Sequence, residues 1–170
     1  MGATERPMRR KECEVTDTAV IRRILGRAAL CHVAMVDGNE PYLVPMNCGW
    51  DGERLFLHGA IQGRKLDILR ANPRVCIEVD EDIQLVTGAT GEECTANYVT
   101  VIGTGTVSFV LNSSAKSRDL NVIIGQCHPG VPEEIFSDTA LSRVIVLEVQ
   151  FDHLSCKAKG TTPRTVTLHS

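Results

Sequence analysis

Apolar and polar side chains alternate along most of the chain, and this period of two predicts strands rather than helices. The clearest case runs from Arg74 to Asp80, where every second residue is valine or isoleucine. The longest runs from Thr95 to Leu111, with Gly103 and Gly105 on one face, where they permit sharp coiling. The predicted strands are Ala28–Val36, Pro41–Asn47, Arg54–His58, Arg74–Asp80, Thr95–Leu111 and Arg143–Asp152.

Helical spacing of apolar residues interrupts this pattern at a few connections. Thr16 or Asp17 can cap the first of these helices. The segment Glu81–Cys94 shows neither period and is predicted to be an acidic loop. The predicted helices run from Asp17 to about Arg27, over Leu66–Arg70 before Asn72-Pro73, over Ser113–Cys127, and as a short turn within residues 133–142.

Tight turns connect the predicted strands, and Asp37-Gly38-Asn39-Glu40 is typical of a hairpin. Antiparallel strands of this number and length close into a small barrel, which removes exposed sheet edges. Pro45 has no backbone N–H to donate to a neighbouring strand, which predicts an edge or a bulge in the second strand. Because several strands are apolar on both faces, a helix or a second subunit must cover the outside. We therefore expect a mainly β protein, a β-barrel with short helices, assembled as a homodimer.

Composition agrees with one compact domain, since 43% of the 170 residues are apolar, 23% are charged and the net charge is −3. No apolar run approaches the roughly 20 residues of a membrane span. The first residues lack the apolar segment of a signal peptide, and no basic stripe suggests nucleic-acid binding. The predicted organisation is a flexible N-terminal arm (1–11), a single domain (12–158) and a C-terminal tail (159–170).

The cysteines indicate reduced thiols and hence a cytoplasmic protein. The seven stand at positions 13, 31, 48, 76, 94, 127 and 156, without a C-x-x-C pair. Two of them adjoin histidines, in Cys31-His32 and Cys127-His128. Adjacent residues seldom chelate one ion, so no metal site is predicted.

One stretch, Leu57–Leu66, combines features of an anion site. A strand turns through Gly59 and Gly63 into a helix N-terminus, where free backbone N–H groups point at one spot. Arg64 and Lys65 add positive charge there, which the helix dipole disfavours unless an anion lies between them. We interpret the stretch as a phosphate cradle. The alternative is a turn glycine followed by a solvated first helical turn.

Two nucleotide-binding motifs do not fit this stretch. Its glycine spacing is one residue shorter than that of a P-loop, and Leu66 stands where serine or threonine would hold magnesium. No G-x-G-x-x-G follows a strand, which excludes the usual dinucleotide fold. Nucleotide hydrolysis is therefore not predicted.

Several short motifs along residues 8–158 nevertheless occur together in one order and spacing. They are Arg9-Arg10-Lys11, Pro41–Asn47, Leu57-His58-Gly59-Ala60 with Gly63-Arg64-Lys65, Asn72–Cys76 and Val101–Gly105. In these motifs the chain resembles the pyridoxamine 5′-phosphate oxidase-like split-barrel flavoproteins, and within them the Nim-type nitroimidazole-resistance branch. The resemblance implies an FMN-binding split β-barrel, antiparallel and Greek-key-like, that dimerises with flavin at the subunit interface.

The resemblance also implies individual roles. Arg64 and Lys65 hold the FMN phosphate, with Gly59 and Gly63 at the same end. His58 lines that end as well and is the implied catalytic residue. The rest of the implied site is the backbone of Val44, Pro45, Met46 and Asn47 along the isoalloxazine, and Tyr98 and Thr100 reaching the flavin of the other subunit.

Three functions follow as hypotheses. The first is an FMN-dependent oxidoreductase that reduces nitro-aromatic compounds such as nitroimidazoles, with His58 as proton donor. The second is a non-catalytic flavin- or haem-binding carrier or sensor. The third is a cofactor-free dimeric scaffold in which Arg64 and Lys65 meet a carboxylate. Vitamin B6 oxidation is not expected, because the tail Gly160–Ser170 offers Arg164 alone and does not match that enzyme's arginine motif.

Overall fold

The protein is a closed antiparallel β-barrel with short helices at its connections, as predicted. The structure, a computed structural model, describes residues 7–160. Around the barrel the strands follow the order β1-β2-β3-β6-β5-β4, and β1 pairs with β4 to close it. The strands are β1 (Leu30–Asp37), β2 (Glu40–Trp50), β3 (Leu55–Ala60), β4 (Arg74–Val86), β5 (Thr95–Val110) and β6 (Val144–Lys159).

Four α-helices accompany the barrel in this part of the chain. Asp17 caps the first, its carboxylate accepting a hydrogen bond from the N–H of Ala19 at 2.8 Å. The third is Ser113–Cys127, the range that its apolar spacing predicts. The helices are α1 (Thr18–Leu25), α2 (Arg64–Ala71), α3 (Ser113–Cys127) and α4 (Asp138–Ser142).

The barrel interior is the main core. Alternation places every second residue of each strand inside, as the fully buried Leu55, Leu57, Val99 and Val101 illustrate. The two glycines of β5 allow close approach of β6, because a Cβ on Gly105 would lie 2.3 Å from the carbonyl oxygen of Gln150. A Cβ on Gly103 would instead meet the ring of Phe151 at 2.5 Å, so Gly103 makes room for a side chain and Gly105 for backbone.

Several strands are longer than predicted: β2 continues past Asn47 to Trp50 and β3 past His58 to Ala60, and the largest differences are in β4 and β6. β4 does not end at Asp80 but continues to Val86, so the loop predicted over Glu81–Cys94 is shorter. β6 continues from Asp152 to Lys159. In both cases the pairing register shifts, between Glu81 and Gln84 and opposite the Thr104–Gly105 step, and the strand resumes beyond the irregularity. A bulge breaks the period of two, which is why alternation alone missed the continuation.

The predicted terminal segments lie mostly outside the described residues. Of the arm predicted over residues 1–11, residues 7–11 are described, and Lys11–Cys13 forms a 3₁₀ turn. The backbone of Glu14 then pairs with that of Lys157 in β6 as an isolated antiparallel β-bridge. Of the predicted tail, residues 161–170 lie outside the described range.

Within residues 7–160, no helix is long and apolar enough to cross a membrane. All seven cysteines lie in this range and all are free thiols. Cys31 and Cys48 face each other inside the barrel, and the pKa of Cys31 is raised by its hydrogen bond to Cys48 and by burial.

Candidate functional site

The barrel is split between β2 and β3. These strands pair only where Cys48–Trp50 meets Leu55–Leu57, and beyond that point they diverge. Residues 40–47 of β2 pair with β1 on one side, and no strand in the described range pairs with their other edge. The end of β3, from His58 to Ala60, pairs with β6 and with no other strand of the described residues. The edge predicted from Pro45 therefore exists, and it borders a cleft.

The turn from β3 into α2 forms the other border of this cleft. Gly63 precedes the helix with φ of +132°, a conformation that favours glycine. No side chain among residues 7–160 caps the helix start. The first two helical N–H groups, those of Arg64 and Lys65, have no acceptor among the described residues. The N-terminus of α2 is thus available to an anion.

Lys65 is the second residue of this helix, and one of the two free N–H groups is its own. A Cβ built on Gly59 would be 2.8 Å from the Lys65 Nζ, so the ammonium rests directly on the backbone of β3. Lys65 is half-buried, yet residues 7–160 provide no carboxylate or hydrogen-bond partner for its Nζ. A half-buried cation without a counter-ion is costly, and a bound anion removes that cost.

Arg64 adopts a different arrangement from the one expected. Its guanidinium donates to Asp37 Oδ2 at 2.9 Å and lies 4.6 Å from the centre of the Tyr42 ring. The side chain therefore reaches across the cleft to the β1–β2 hairpin rather than converging with Lys65. The Arg64–Asp37 pair is solvent-exposed, so rearrangement toward another anion costs about 1 kcal/mol or less.

His58 faces the opposite side of β3 from Gly59, because neighbouring residues of a strand alternate. Its imidazole lines an apolar cavity under α3 and α4. Burial lowers the pKa of His58 below its ordinary value, and the nearby charge of Lys65 lowers that pKa further. His58 and Gly59 are consecutive near the end of β3, and the His58 side chain points away from the face on which Lys65 contacts Gly59; that both residues line one end of a cofactor site stays a prediction.

The implied flavin-ring segment of β2, residues 44–47, follows the open edge. Met46 is buried in the barrel and Val44 packs against the core, while Pro45 and Asn47 are exposed. The amide of Asn47 donates to the carbonyl oxygen of Ala29 at 3.1 Å, which holds the end of this segment to the start of β1.

Tyr98 and Thr100 lie elsewhere on the barrel. β6 separates their strand, β5, from β3, so one chain does not bring them to the cleft. The hydroxyl of Thr100 donates to Glu78 at 3.3 Å, and Glu78 also contacts His32 Nδ1 at 3.1 Å. The resemblance implied contact from a second subunit, and this stays a prediction.

Sequence reasoning missed three features of the site. Asp37 and Tyr42 hold the Arg64 side chain, and the hairpin pattern carried no signal of this contact. The side chain of Gln126 fastens the end of α3 to three backbone groups: it donates to Leu25 O and Ala28 O and accepts from Trp50 N. The apolar cavity beside His58 was also unforeseen, because residues distant in sequence form it.

In the described part of the chain, no cluster of three or more His, Cys, Asp or Glu side chains could hold a metal ion.

We expect His58 to titrate below pH 6.5, its usual value. Between the His58 pKa of the folded chain and that of the unfolded chain, the unfolded chain binds a proton that the folded chain does not bind. The free energy of unfolding therefore rises with pH in this interval, and it falls as the pH drops below about 6.5. NMR titration of the imidazole C–H signals measures the pKa of His58. Lys65→Met should raise the pKa of His58 only part of the way, because burial is the larger cause. A His58 pKa above 6.5 in the unaltered protein would contradict the prediction.

Comparison with known families places this arrangement in context. Residues 17–158 match the family model described as pyridoxamine 5′-phosphate oxidase. A protein of Rhizobium meliloti without an assigned function is 33% identical over 76 residues. That alignment covers 45% of this chain and 44% of the relative, so the match spans less than half the length of the curated relative.

Solved structures share the fold over most of the chain. A candidate 5-nitroimidazole antibiotic resistance protein from Bacteroides thetaiotaomicron superimposes with a TM-score of 0.75 and 28% identity, covering 85% of each chain. A flavocytochrome from Azotobacter vinelandii has a TM-score of 0.80 at 20% identity, covering 95% of this chain and 76% of its own. An FAD and haem binding protein from Mycobacterium smegmatis has a TM-score of 0.78 at 20% identity, covering 90% and 76%. The last two likenesses concern the fold alone.

Proposed function

This chain belongs to the pyridoxamine 5′-phosphate oxidase family, and from that membership we propose that it is an oxidoreductase that uses FMN. The observation that carries the proposal is Lys65, a half-buried ammonium lying on Gly59 without a partner among residues 7–160. The two free N–H groups that begin α2 belong to Arg64 and to Lys65 itself. This donor set is the chemistry that a phosphate monoester requires.

We assign the phosphate to Lys65 and the α2 N-terminus. Arg64 joins them if its guanidinium leaves Asp37, and it would then add a bidentate donor. The open edge of β2 over Val44–Asn47 offers unpaired backbone groups to the polar edge of a flavin ring. Bound flavin supplies the hydride and electron chemistry. The protein places the cofactor, excludes water and provides His58 as a proton donor or hydrogen-bond partner.

Nitro-aromatic compounds, nitroimidazoles among them, are the proposed substrates. Support comes from the Bacteroides structure with 28% identity, whose description names 5-nitroimidazole resistance. A neutral histidine near pH 7 suits this role, because it can donate one N–H without placing a charge in the site.

We also propose that two copies of the chain assemble, with Tyr98 and Thr100 of each reaching the other's flavin. The outer sheet surface exposes large apolar side chains, since Leu30, Leu43 and Ile102 are 50%, 58% and 42% accessible. Sedimentation analysis that yields the mass of a single chain at micromolar concentration would contradict this assembly.

Purified protein titrated with FMN tests the cofactor assignment. At an FMN concentration 100 times the Kd, the free energy of unfolding should rise by about 2.7 kcal/mol, which a melting scan detects. Riboflavin lacks the phosphate and serves as the matched control, so it should stabilise much less. Equal shifts with both compounds, or no shift with FMN, would overturn the phosphate cradle.

A second candidate function, a haem- or flavin-binding carrier, has one observation in its favour. His58 presents a neutral imidazole, which can ligate a haem iron, to an apolar cavity that would have to widen by movement of α3 and α4 to admit a porphyrin. A carrier would bind its chromophore without turnover. Haem titration followed by visible spectroscopy, together with an NAD(P)H-dependent assay of nitroimidazole loss, separates the two functions.

A further inference from the structure

The cavity beside His58 lies between the outer face of the barrel and two helices. Its volume is about 280 Å³. It is open to solvent on one side, whereas the wall toward the barrel is formed by β3 and β6. The lining side chains are His58 of β3, Leu120, Ile123 and Ile124 of α3, Phe136 of the α3–α4 connection, Ala140 of α4 and Val144 of β6.

The lining has a single polar side chain. Six of the seven lining residues are apolar, and His58 is the exception. Its pKa is lowered by burial and by Lys65, so at neutral pH the imidazole is uncharged and offers one donor and one acceptor. The lining holds no charged side chain, so an ionised ligand loses hydration on entering the cavity, and the Lys65 charge that acts on His58 offsets only part of this cost for an anion. The lining therefore favours an uncharged compound.

The volume restricts the ligand further. A dry apolar cavity of roughly 150 Å³ holds a benzene molecule, and most ligand pockets start at about 300 Å³. A cavity of about 280 Å³ thus has room for one substituted ring or two fused rings. It is too small for an extended or multi-ring ligand unless α3 and α4 move.

The cavity also adjoins the phosphate cradle through β3. Consecutive residues carry the two sites, since Gly59 contacts Lys65 while His58 faces the cavity. Gly49, on the outer face of β2, brings α3 directly against the sheet, because a Cβ there would be 2.7 Å from the backbone of Ile123. The helix that forms the cavity roof is therefore held by the same two strands that border the cleft.

We propose that this cavity is a binding site for an uncharged aromatic or heteroaromatic compound of one or two rings, with a polar substituent hydrogen-bonded to His58. The inference goes beyond the proposed function, because the cavity lies on the outer face of β3, whereas Lys65 contacts the other face at Gly59. Binding in the cavity itself does not require flavin.

Benzamide and benzoate test the proposal as a matched pair, since they share one shape and differ in charge. Flavin-free protein with labelled isoleucine methyl groups is titrated with each and followed by NMR. Benzamide should shift the methyl signals of Ile123 and Ile124 and the imidazole signals of His58. Benzoate should bind at least roughly tenfold more weakly, because its charge must be desolvated. Equal binding of both, or no benzamide binding up to its solubility limit, overturns the proposal.

Ala140→Phe fills the cavity and should weaken benzamide binding by roughly tenfold or more, since the apolar burial is forfeited. Thr139→Phe, one residue earlier on α4 and outside the lining, is the matched control and should leave it within about twofold. His58→Phe keeps the apolar wall and removes the hydrogen-bonding group, so it should also weaken benzamide. Benzamide binding that Ala140→Phe leaves unchanged would place the ligand elsewhere and overturn the proposal.

FMN titration of the same samples separates this inference from the proposed function. If FMN binds and benzamide does not, the cavity assignment fails and the flavin assignment stands. If benzamide binds with the expected variant pattern and FMN does not, the cavity is a binding site and the proposed oxidoreductase is wrong.

Discussion

Lys65→Met is expected to raise the Kd for FMN by roughly 10- to 100-fold. A hydrogen bond to a charged group contributes about 1.5–3 kcal/mol, and each 1.4 kcal/mol is a factor of ten in affinity. Methionine preserves the length and apolar stem of the side chain, so packing over Gly59 is retained. The melting temperature of the flavin-free protein should not fall, because the substitution removes a half-buried cation that lacks a partner in the described range.

Arg22→Met is the matched control for this experiment. It removes one positive charge from an exposed position on α1 and should leave the Kd for FMN within about twofold. Fluorescence titration measures the Kd for FMN of the unaltered protein, of Lys65→Met and of Arg22→Met. If Lys65→Met binds FMN as tightly as Arg22→Met does, the phosphate does not lie at Lys65. Arg64→Met should have a smaller effect than Lys65→Met, because binding must first break the Arg64–Asp37 contact.

Gly49→Ala is expected to destabilise the protein by about 2–3 kcal/mol, near the upper end of typical overpacking effects. The added Cβ would lie 2.7 Å from both the N and the Cα of Ile123, so the backbone of α3 must move away from β2. That movement also strains the three hydrogen bonds that Gln126 makes with Trp50, Leu25 and Ala28. Urea unfolding measures the change, and the NMR signals of the His58 cavity should shift because α3 forms its roof.

Gly125→Ala, at a nearby glycine of α3, is expected to stabilise the protein, the opposite of Gly49→Ala. A Cβ at this exposed position of α3 would have no atom of the described residues within 4 Å, apart from its chain neighbours and its own helix backbone. Alanine is the better helix former, so the free energy of unfolding should rise by about 0.5–1 kcal/mol. If the two substitutions destabilised the protein equally, close packing of α3 on Gly49 could not be the reason.

The helix and strand boundaries show where sequence reasoning is strong. Asp17 and the apolar spacing after it predicted α1, and the pattern after Asn112 predicted α3 over its full range. These elements depend on local chemistry, namely a capping side chain and one apolar stripe. β4 and β6 were predicted too short because bulges shift the faces of a strand, and a bulge has no clear signature in one sequence.

In the candidate site, too, the local backbone structure was predictable and the longer-range contacts were not. The run from Gly59 to Lys65 predicted a helix N-terminus with nearby cations, and the structure has that helix start with its N–H groups open. Where each cation points was not predictable. Arg64 meets Asp37 and Tyr42, which lie more than twenty residues away, and Lys65 rests on Gly59. Long flexible side chains follow their tertiary neighbours rather than their position in the sequence.

The sequence by itself determined the barrel class, most of its elements and the location of a cationic helix start, because periodicity and turn chemistry act over a few residues. Only the tertiary structure decided that β2 and β3 part beyond Cys48, that His58 turns away from Lys65, and that α3 and α4 enclose a cavity at its imidazole. The physical reason is that these features arise from pairing register and from helix packing on the sheet. Both depend on contacts between residues far apart in the chain, which no local pattern encodes.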